Sequence, residues 1–198
     1  MRFFVLLFFA MISLQACRQE QQADPRSLGA QVGEYVQVVV EIPAGTNQKI
    51  EFDYKDGTFK VDQIDGKDRV IDFLPYPGNY GFVPGTLMDK ERGGDGDALD
   101  ILVIGESVPT GSALLAIPIG ALMLRDRDEI DTKLIAIPAD PAQQVIQATD
   151  FMSFALKYDA ARRIIEDWFQ NYKGAAGVDI IRWEDEKYAW KEIEKWQK

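Results

Sequence analysis

Apolar and polar residues alternate along much of the chain beyond residue 33, which is the pattern of half-buried β-strands. In the stretch 34–42, Val36, Val38 and Val40 would share one face of a strand, because successive side chains point to opposite sides. Turns that contain glycine or proline separate many of these stretches. The pattern predicts strands at 34–42, 49–54, 58–61, 69–73, 101–104, 113–119, 121–124, 134–137 and 179–183.

The spacing of apolar residues changes to three or four in the last third of the chain, which indicates amphipathic helices. One helix is predicted over about 155–172, with Gly174 as its stop signal. A second helix is predicted over 184–197, with Trp196 on its buried side. A strand-rich body followed by two helices predicts an α+β, mainly β fold that is built on an antiparallel barrel or a curved sheet.

The N-terminal residues have the pattern of a targeting signal followed by a linker. The apolar run 3–12 follows a single arginine; it is too short to span a bilayer and has the length of a signal-peptide core. The letters LQAC, which end at Cys17, resemble the lipobox of bacterial lipoproteins, in which the cysteine is lipidated. This predicts a lipoprotein signal peptide over 1–16, a flexible tether over 17–33 and one domain over 34–198. The alternative is an ordinary signal peptide with an incidental cysteine.

Composition narrows the chemistry of the domain. The 198 residues carry a formal net charge of −10, which disfavours nucleic acid and anionic lipid headgroups as direct partners. A lipidated Cys17 would instead hold the protein to a lipid bilayer through its acyl chains, outside the cytoplasm at the periplasmic or cell-surface face. The chain contains no histidine, which excludes Ser-His-Asp, Cys-His and His-zinc sites. Catalysis must therefore use carboxylates, Lys, Arg, Tyr and metal ions.

Three carboxylates are concentrated in a glycine-rich turn before an apolar run. The segment 93–100 reads GGDGDALD and contains Asp95, Asp97 and Asp100. Carboxylates this close repel one another unless they splay into water or are neutralised by cations, and oxygen ligands suit Mg²⁺, Mn²⁺ or Ca²⁺. A solvated acidic loop and a minor calcium-binding role are the alternatives. An EF-hand is excluded, because Asp100 stands where that loop requires glycine and a strand follows.

Further polar and aromatic residues accompany the acidic turn. Lys49 and Glu51 share one face of a predicted strand, where they could also be ordinary solvent-facing charges. Tyr76 and Tyr80 lie in a rigid PYPGNYG loop, where they either pack or present their hydroxyls to a ligand. The stretch 125–133 is predicted to be a charged connection between two strands.

Four blocks agree in order and spacing with the family I soluble inorganic pyrophosphatases, which the chain resembles over about residues 36–173. The blocks are VEIP with Lys49 and Glu51, YPGNYG, DGDALD, and the stretch from Asp126 to the letters DTK. Together they are far more specific than the pattern D-x-D-x-x-D alone. The resemblance implies a five-stranded OB-like closed barrel with two C-terminal helices packed on it. It also implies Mg-dependent hydrolysis of pyrophosphate to two phosphates.

The resemblance implies a role for each residue around the mouth of the barrel. Three to four Mg²⁺ ions are expected, with Mn²⁺ as a substitute, and Asp97 would accept a proton from a water held between two of them. The implied metal ligands are Asp95, Asp100, Asp126, Asp131 and Glu41. The implied substrate-binding residues are Lys49, Arg69, Tyr80, Tyr172 and Lys173, with Glu51, Tyr76 and Lys133 in support.

Two positions depart from the family pattern. Gln63 stands where the family arginine often lies, so that Arg69 is the better candidate by spacing, and Arg127 stands where some relatives carry an acid. These departures motivate one alternative, a non-catalytic surface lipoprotein that binds divalent metal or phosphate. A second alternative is hydrolysis of organic phosphoanhydrides such as nucleotides, although no base-stacking motif stands out. The family also leaves a homo-oligomer open. Bacterial hexamers of the family use interface histidines, and this chain has no histidine.

Overall fold

A computed structural model describes residues 23–126, 129–174 and 177–198 of the chain. The signal peptide and lipobox predicted within residues 1–17, and the departure at Arg127, therefore lie outside the described residues. No helix in the described part of the chain is long and apolar enough to cross a membrane.

The strands and helices of the described ranges lie in the following order. The strands are β1 (Gln31–Val32), β2 (Tyr35–Ile42), β3 (Ile50–Asp53), β4 (Thr58–Val61), β5 (Gln63–Ile64), β6 (Lys67–Asp68), β7 (Asn79–Phe82), β8 (Asp100–Val103), β9 (Ala113–Asp126), β10 (Glu129–Pro138) and β11 (Asp179–Glu184). The α-helices are α1 (Phe151–Lys157), α2 (Asp159–Asn171) and α3 (Glu186–Trp196). Single turns of 3₁₀-helix lie at Pro25–Ser27, Lys90–Arg92 and Pro141–Gln143.

Five strands form a ring of hydrogen-bonded neighbours in the order β2, β7, β8, β10 and β9, and β9 pairs with β2 to complete the ring. The β8–β10 pair is parallel, and the other four pairs are antiparallel. The long strand β9 pairs with β2 near its start, with β11 near its end and with β10 along most of its length. The ring confirms the predicted mainly β fold and its five-stranded OB-like barrel.

Side chains on both faces of the ring strands are buried, because helix residues belong to the hydrophobic cluster on each face. Leu102 of β8 belongs to a cluster with Phe154 of α1 and Phe169 of α2. Ile101, the preceding residue, points the other way into a cluster with Ile193 of α3. Burial of one side chain of this size stabilises the fold by roughly 1.5–3 kcal/mol. The ring strands are therefore held in place from two sides.

Two regions that were predicted as strand and loop have a different structure. The stretch 69–73 is irregular, since Val70 pairs only once, with Gln48, and Phe73 is exposed. Two backbone hydrogen bonds, from the Lys49 N–H to the Arg69 carbonyl and from the Ile71 N–H to the Asn47 carbonyl, form this bridge, and the described pairing extends no further. The aromatic loop 75–81 ends in a central barrel strand, β7, whose residues are buried.

The predicted strands 113–119 and 121–124 are one strand, β9, with a register shift at Ile119. The stretch 125–133, predicted to be a connection, belongs for the most part to β9 and β10. Main-chain pairing continues there beyond the buried part of the sheet, with Ile130 opposite Arg125. The sequence pattern could not predict that the strands extend this far. The residues there are exposed, so apolar and polar residues do not alternate.

The helix predicted at 155–172 is two helices, α1 and α2, so three helices follow β10 in the described chain. Helix α1 begins before residue 155 because Asp150 and Ser153 form a capping box. The Asp150 side chain accepts a hydrogen bond from the Ser153 N–H at 2.6 Å, and the Ser153 hydroxyl accepts one from the Asp150 N–H at 3.2 Å. The helices are separated at Tyr158, whose φ of −127° is not helical.

Part of the stretch predicted to be a flexible tether packs against the barrel. Pro25 and Ala30 are buried, and the Ala30 carbonyl accepts a hydrogen bond from the Gln37 N–H at 2.8 Å. Leu28 contacts a cluster of Val39, Phe52 and Phe82, which belongs to β2, β3 and β7. The folded body therefore begins before residue 34.

Candidate active site

The acidic turn over residues 93–100 lies between a 3₁₀ turn and strand β8. Gly96 has φ 95°, in the left-handed region that glycine adopts without strain. The Asp95 side chain accepts a hydrogen bond from the Asp97 N–H at 2.9 Å, which fixes the tight turn locally. Asp100 is the first residue of β8, a buried central strand. The predicted arrangement of a tight acidic turn that leads into a buried strand is confirmed.

A cavity of about 170 Å³ lies between this turn and strands β2, β3 and β7. Six of the predicted site residues line it, namely Glu41, Lys49, Glu51, Asp95, Asp97 and Asp100. Aromatic residues Phe52, Tyr54 and Phe82 form the apolar part of the wall, together with Ala98. Five carboxylates and one ammonium group therefore surround a small cavity, which favours cations inside it.

Glu41 is the most buried carboxylate of this cavity, with 8% of its surface exposed. Its Oε1 accepts a hydrogen bond from the Phe52 N–H at 2.8 Å, which ties β2 to β3. Burial raises the pKa of Glu41 from 4.5 to about 7, and the negative charges of Asp100 and Glu51 act in the same direction. Lys49 opposes this shift without cancelling it.

Asp97 lies at the tip of the acidic turn and faces the cavity without a hydrogen-bonded cation among the described contacts. Burial raises the pKa of the Asp97 carboxyl, and the neighbouring charges of Asp95, Asp100 and Glu51 raise it further. Lys90 opposes the shift from outside the cavity. A carboxyl group in this environment gains a proton more readily than a solvated one.

Lys133 connects two of the predicted metal ligands. Its Nζ forms ion pairs with Asp100 Oδ2 and, at 2.6 Å, with Asp131 Oδ1, while only 4% of Lys133 is exposed. Burial alone would lower the pKa of Lys133, but the two carboxylates outweigh it and raise the pKa. Burial raises the pKa of Asp131 in spite of its cationic partner. A positive charge is therefore stabilised between Asp100 and Asp131.

A second group of predicted residues lines a neighbouring groove of about 440 Å³, where Arg69, Tyr172 and Lys173 meet. The Lys173 ammonium also forms an ion pair with Asp126 Oδ2. The Arg69 guanidinium is held by Asp62, with Nη1 3.0 Å from Oδ2. These contacts bring together two basic side chains and one phenol, which is a suitable set for an anion.

Gln63 lies elsewhere. It borders a different groove, next to Lys60 and Asp62, and its Nε2 donates a hydrogen bond to Asp68 Oδ1 at 3.2 Å. Arg69, and not Gln63, therefore shares a groove with Tyr172. The spacing argument that favoured Arg69 in the sequence agrees with this placement.

Tyr76 and Tyr80 form an aromatic wall beneath these charged groups. Both are buried, and their ring centres lie 5.2 Å apart. Two ammonium groups lie near the Tyr80 ring, with Lys49 Nζ 5.5 Å and Lys133 Nζ 5.8 Å from its centre. Tyr76 packs against Trp168 of α2 at 4.5 Å. Burial raises the pKa of Tyr80 well above its ordinary value, so its hydroxyl stays protonated.

The donor set fits hard divalent cations, because the candidate ligands are all carboxylates and the lysine ammonium groups beside Asp100 and Asp126 show where positive charge is stabilised. Within residues 23–126, 129–174 and 177–198, no three acidic side chains are gathered closely enough to hold an ion as they stand. The reason is local pairing: Asp131 and Asp100 bond to a lysine, and Asp95 bonds to the backbone of its own turn.

Sequence reasoning missed Tyr54 as a lining residue of the cavity. Alternation places it on the same face as Phe52, opposite Lys49 and Glu51, yet residues from both faces of this stretch line the cavity. The Tyr54 ring contacts Phe52 at 4.9 Å. Burial raises the pKa of Tyr54 to about 12, helped by nearby carboxylates. The apolar face of this stretch therefore also borders the cavity, which alternation alone does not indicate.

Comparison with known proteins identifies relatives over most of the chain. The family model described as inorganic pyrophosphatase matches residues 38–198. The inorganic pyrophosphatase of Aquifex pyrophilus is 37% identical over 168 residues, which cover 83% of this chain and 81% of that protein. The inorganic pyrophosphatase of Brucella melitensis is 34% identical over 179 residues, which cover 86% of this chain and 93% of that protein.

Solved structures give the same picture for the fold. The crystal structure of inorganic pyrophosphatase from Thermus thermophilus has a TM-score of 0.74 at 29% identity, and the match covers 87% of this chain and 95% of that one. The crystal structure of an inorganic pyrophosphatase from Neisseria gonorrhoeae has a TM-score of 0.69 at 31% identity, with 86% and 95% covered. The likeness in sequence and in fold therefore extends over nearly the full length of these structures.

Proposed function

The chain belongs to the inorganic pyrophosphatase family and is an enzyme that hydrolyses pyrophosphate, and we propose that it does so with Mg²⁺ bound by the carboxylates of the cavity. Enzymes of this family depend on metal ions. The observation that supports the proposal is the convergence of Glu41, Asp97 and Asp100 on one small cavity beside Lys49. These groups come from three separate parts of the chain, and a shared role in binding cations accounts for so unfavourable a concentration of like charges.

Three to four Mg²⁺ ions would be held by five carboxylates, and Mn²⁺ would substitute. The proposed ligands are Asp95, Asp100, Asp131, Asp126 and Glu41. When bound, divalent ions lower the pKa of a coordinated water and neutralise the phosphoryl oxygens of the substrate. The protein contributes a dry wall on one side, since Phe52 and Phe82 are buried beside the ligands.

Asp97 is the proposed proton acceptor. It faces the cavity from the tip of the turn, while Asp100 and Asp131 are already engaged with Lys133. A carboxylate without a cationic partner of its own can take the proton that the attacking water releases. Its neighbours on the turn would remain available as ligands.

The basic groups would bind different parts of the substrate. Lys49 borders the cavity and acts as a point charge, whereas Arg69 offers two parallel N–H donors to one phosphate. Lys173 and the Tyr172 hydroxyl lie in the same groove as Arg69. The protonated Tyr80 hydroxyl is available as a further donor. Together these groups orient pyrophosphate and stabilise the charge of the departing phosphate.

Phosphate release from pyrophosphate by the purified protein tests these assignments. We expect turnover with Mg²⁺, slower or comparable turnover with Mn²⁺, and none after chelation with EDTA. Equal rates on ATP would favour hydrolysis of organic phosphoanhydrides. Tight pyrophosphate binding in calorimetry without any hydrolysis would favour the non-catalytic alternative. Light scattering of the same sample measures whether the protein is a monomer or a homo-oligomer.

We further propose that Cys17 is lipidated and holds the enzyme at a membrane surface outside the cytoplasm. The support is in the sequence: a short apolar run, the LQAC lipobox and no other cysteine. Cys17→Ser should move the protein from the membrane fraction to a soluble or unprocessed form and leave the activity of the domain unchanged. An unsubstituted protein that fractionates with the cytosol, with Cys17 unmodified, would contradict this proposal.

A further inference from the structure

We propose that residues 195–198, here called the tail, position the acidic turn for metal binding. They do so through residues 85–88, here called the bridging segment. The tail touches neither substrate nor metal in this proposal, so its residues are positioning residues. The inference rests on the proposed metal site, and it gives the C-terminal residues 195–198 a role in forming that site.

One edge of the bridging segment bonds to the tail. The Lys198 N–H donates a hydrogen bond to the Gly85 carbonyl at 2.9 Å, and the Leu87 N–H donates one to the Trp196 carbonyl at 2.9 Å. Between these two bonds, Thr86 and its partner in the tail form an isolated antiparallel β-bridge. The tail therefore pairs with the bridging segment in the manner of a short strand.

The opposite edge of the bridging segment bonds to the acidic turn. The Met88 N–H donates to the Asp97 carbonyl at 2.7 Å, and the Gly96 N–H donates to the Met88 carbonyl at 2.7 Å. The Thr86 hydroxyl accepts a hydrogen bond from the Leu99 N–H at 3.0 Å. The backbone on both sides of the proposed proton acceptor is thus tied to the segment that the tail holds.

A side-chain contact joins the tail to the start of the acidic turn. Arg92 Nη2 donates a hydrogen bond to the Lys195 carbonyl at 2.9 Å, and the Arg92 guanidinium lies 4.8 Å from the centre of the Trp196 ring. Trp196 is itself fixed, because it is buried and its Nε1 donates to Glu192 Oε2 at 2.8 Å. The tail therefore holds the residue just before the acidic turn directly, through Arg92, and holds the tip of the turn indirectly, through the bridging segment.

The anchoring matters because the turn carries three carboxylates of the same charge. Their repulsion favours an open turn, whereas binding a cation requires the turn to bring them closer together than they stand without the ion. The bonds of the bridging segment, which the tail holds in place, limit how far the turn opens before any ion arrives. The loss of one such bond should therefore weaken Mg²⁺ binding more than it slows turnover at saturating Mg²⁺.

The first test compares two substitutions at one position. Lys198→Pro removes the N–H that bonds to Gly85, and the preceding Gln197 already has φ −62° and ψ 135°, which suit a residue before proline. Lys198→Ala removes the same charge and keeps the N–H. By calorimetry on the full chain without substrate, Lys198→Pro should raise the Mg²⁺ dissociation constant about three- to tenfold, and Lys198→Ala should leave it unchanged.

The second test uses Arg92→Ala. Removing a cation near a Mg²⁺ site would tighten binding by electrostatics alone, so a weaker Mg²⁺ affinity would report lost positioning. Arg163→Ala is the matched control, since Arg163 is 63% exposed on its side chain and forms its ion pair within α2. We expect a several-fold higher Mg²⁺ requirement for Arg92→Ala, an unchanged kcat at saturating Mg²⁺, and no effect of the control.

Unchanged Mg²⁺ affinity in both Lys198→Pro and Arg92→Ala would overturn the inference, as would an equal loss in the two controls. In either case the unsubstituted protein would still bind Mg²⁺ and hydrolyse pyrophosphate, and the proposed function would stand. An unsubstituted protein that binds no Mg²⁺ would refute the metal site and this inference together.

Discussion

Replacing Glu41 by glutamine should stabilise the metal-free protein at neutral pH and weaken its use of metal. Glu41 is buried at the wall of the cavity, where its charge is disfavoured. The amide oxygen of glutamine can still accept the hydrogen bond that the Phe52 N–H donates at 2.8 Å. Lys49 keeps a second carboxylate partner, Glu51, at 3.3 Å. The substitution therefore removes a buried charge, while the Phe52 N–H and the Lys49 ammonium group keep partners.

The magnitude follows from the pKa of Glu41, which is 4.5 in a solvated carboxyl and about 7 in the fold. Because the folded state holds this proton more tightly, the free energy of unfolding falls as pH rises from 4.5 to about 7 and is flat above. Each tenfold change in proton affinity is worth about 1.4 kcal/mol. The Glu41→Gln variant lacks this pH dependence, so its free energy of unfolding should exceed that of the unsubstituted protein by near zero at pH 4.5 and by at most about 3.5 kcal/mol at pH 8.

Urea unfolding of both proteins in EDTA, at pH 5 and pH 8, measures this difference. Glu194→Gln, at an exposed position of α3, should shift the free energy of unfolding by the same small amount at both pH values. An advantage of Glu41→Gln that is equal at pH 5 and pH 8 would refute the reasoning about its charge. With saturating Mg²⁺ the order should reverse, because the unsubstituted protein gains binding energy that the variant lacks.

Substitutions in the barrel, in the acidic turn and in the groove of Arg69 give three further predictions. Gly81→Ala should destabilise the fold by about 1–3 kcal/mol or more in urea titrations, because a Cβ there would overlap a backbone carbonyl oxygen of β2. Asp97→Asn should keep Mg²⁺ binding in calorimetry but lose about 100-fold or more in turnover, whereas Asp100→Asn should lose the binding itself; near-normal rates of Asp97→Asn across pH would contradict the proton-acceptor role. Arg69→Lys should raise KM several-fold because it removes the bidentate contact, while Gln63→Ala should leave KM unchanged, and equal effects of both would contradict the assignment of the anion groove.

The local parts of the site could be predicted from sequence because short-range chemistry determines them. The acidic turn needs only glycines, its own side-chain-to-backbone bond at Asp95, and an apolar run behind it. The fold class followed from periodicity and from the order of strands before helices. The spacing argument placed Arg69 ahead of Gln63, and the two residues do lie in different grooves.

The remaining features depend on pairings between distant parts of the chain. Lys133 reaches Asp100 because β8 and β10 run parallel with Leu134 opposite Ile101, and alternation cannot specify such a register. The continuity of β9 depends on a bulge that main-chain bonds to β10 create. The tail and the bridging segment pair through backbone hydrogen bonds, which residue types do not specify, so the sequence did not predict this pairing.

The packing of residues 25–33 against the barrel limits the reach of a lipid anchor. An extended tether from Cys17 to residue 34 would span about 60 Å. Since Pro25 and Ala30 are buried, only the chain between Cys17 and Asp24 sets the distance, at most about 25 Å. With Cys17 lipidated as proposed, the enzyme would work in the layer of solution next to the bilayer. Its rate would then follow the pyrophosphate concentration in that layer, and a source at the same membrane would supply it before the bulk solution did.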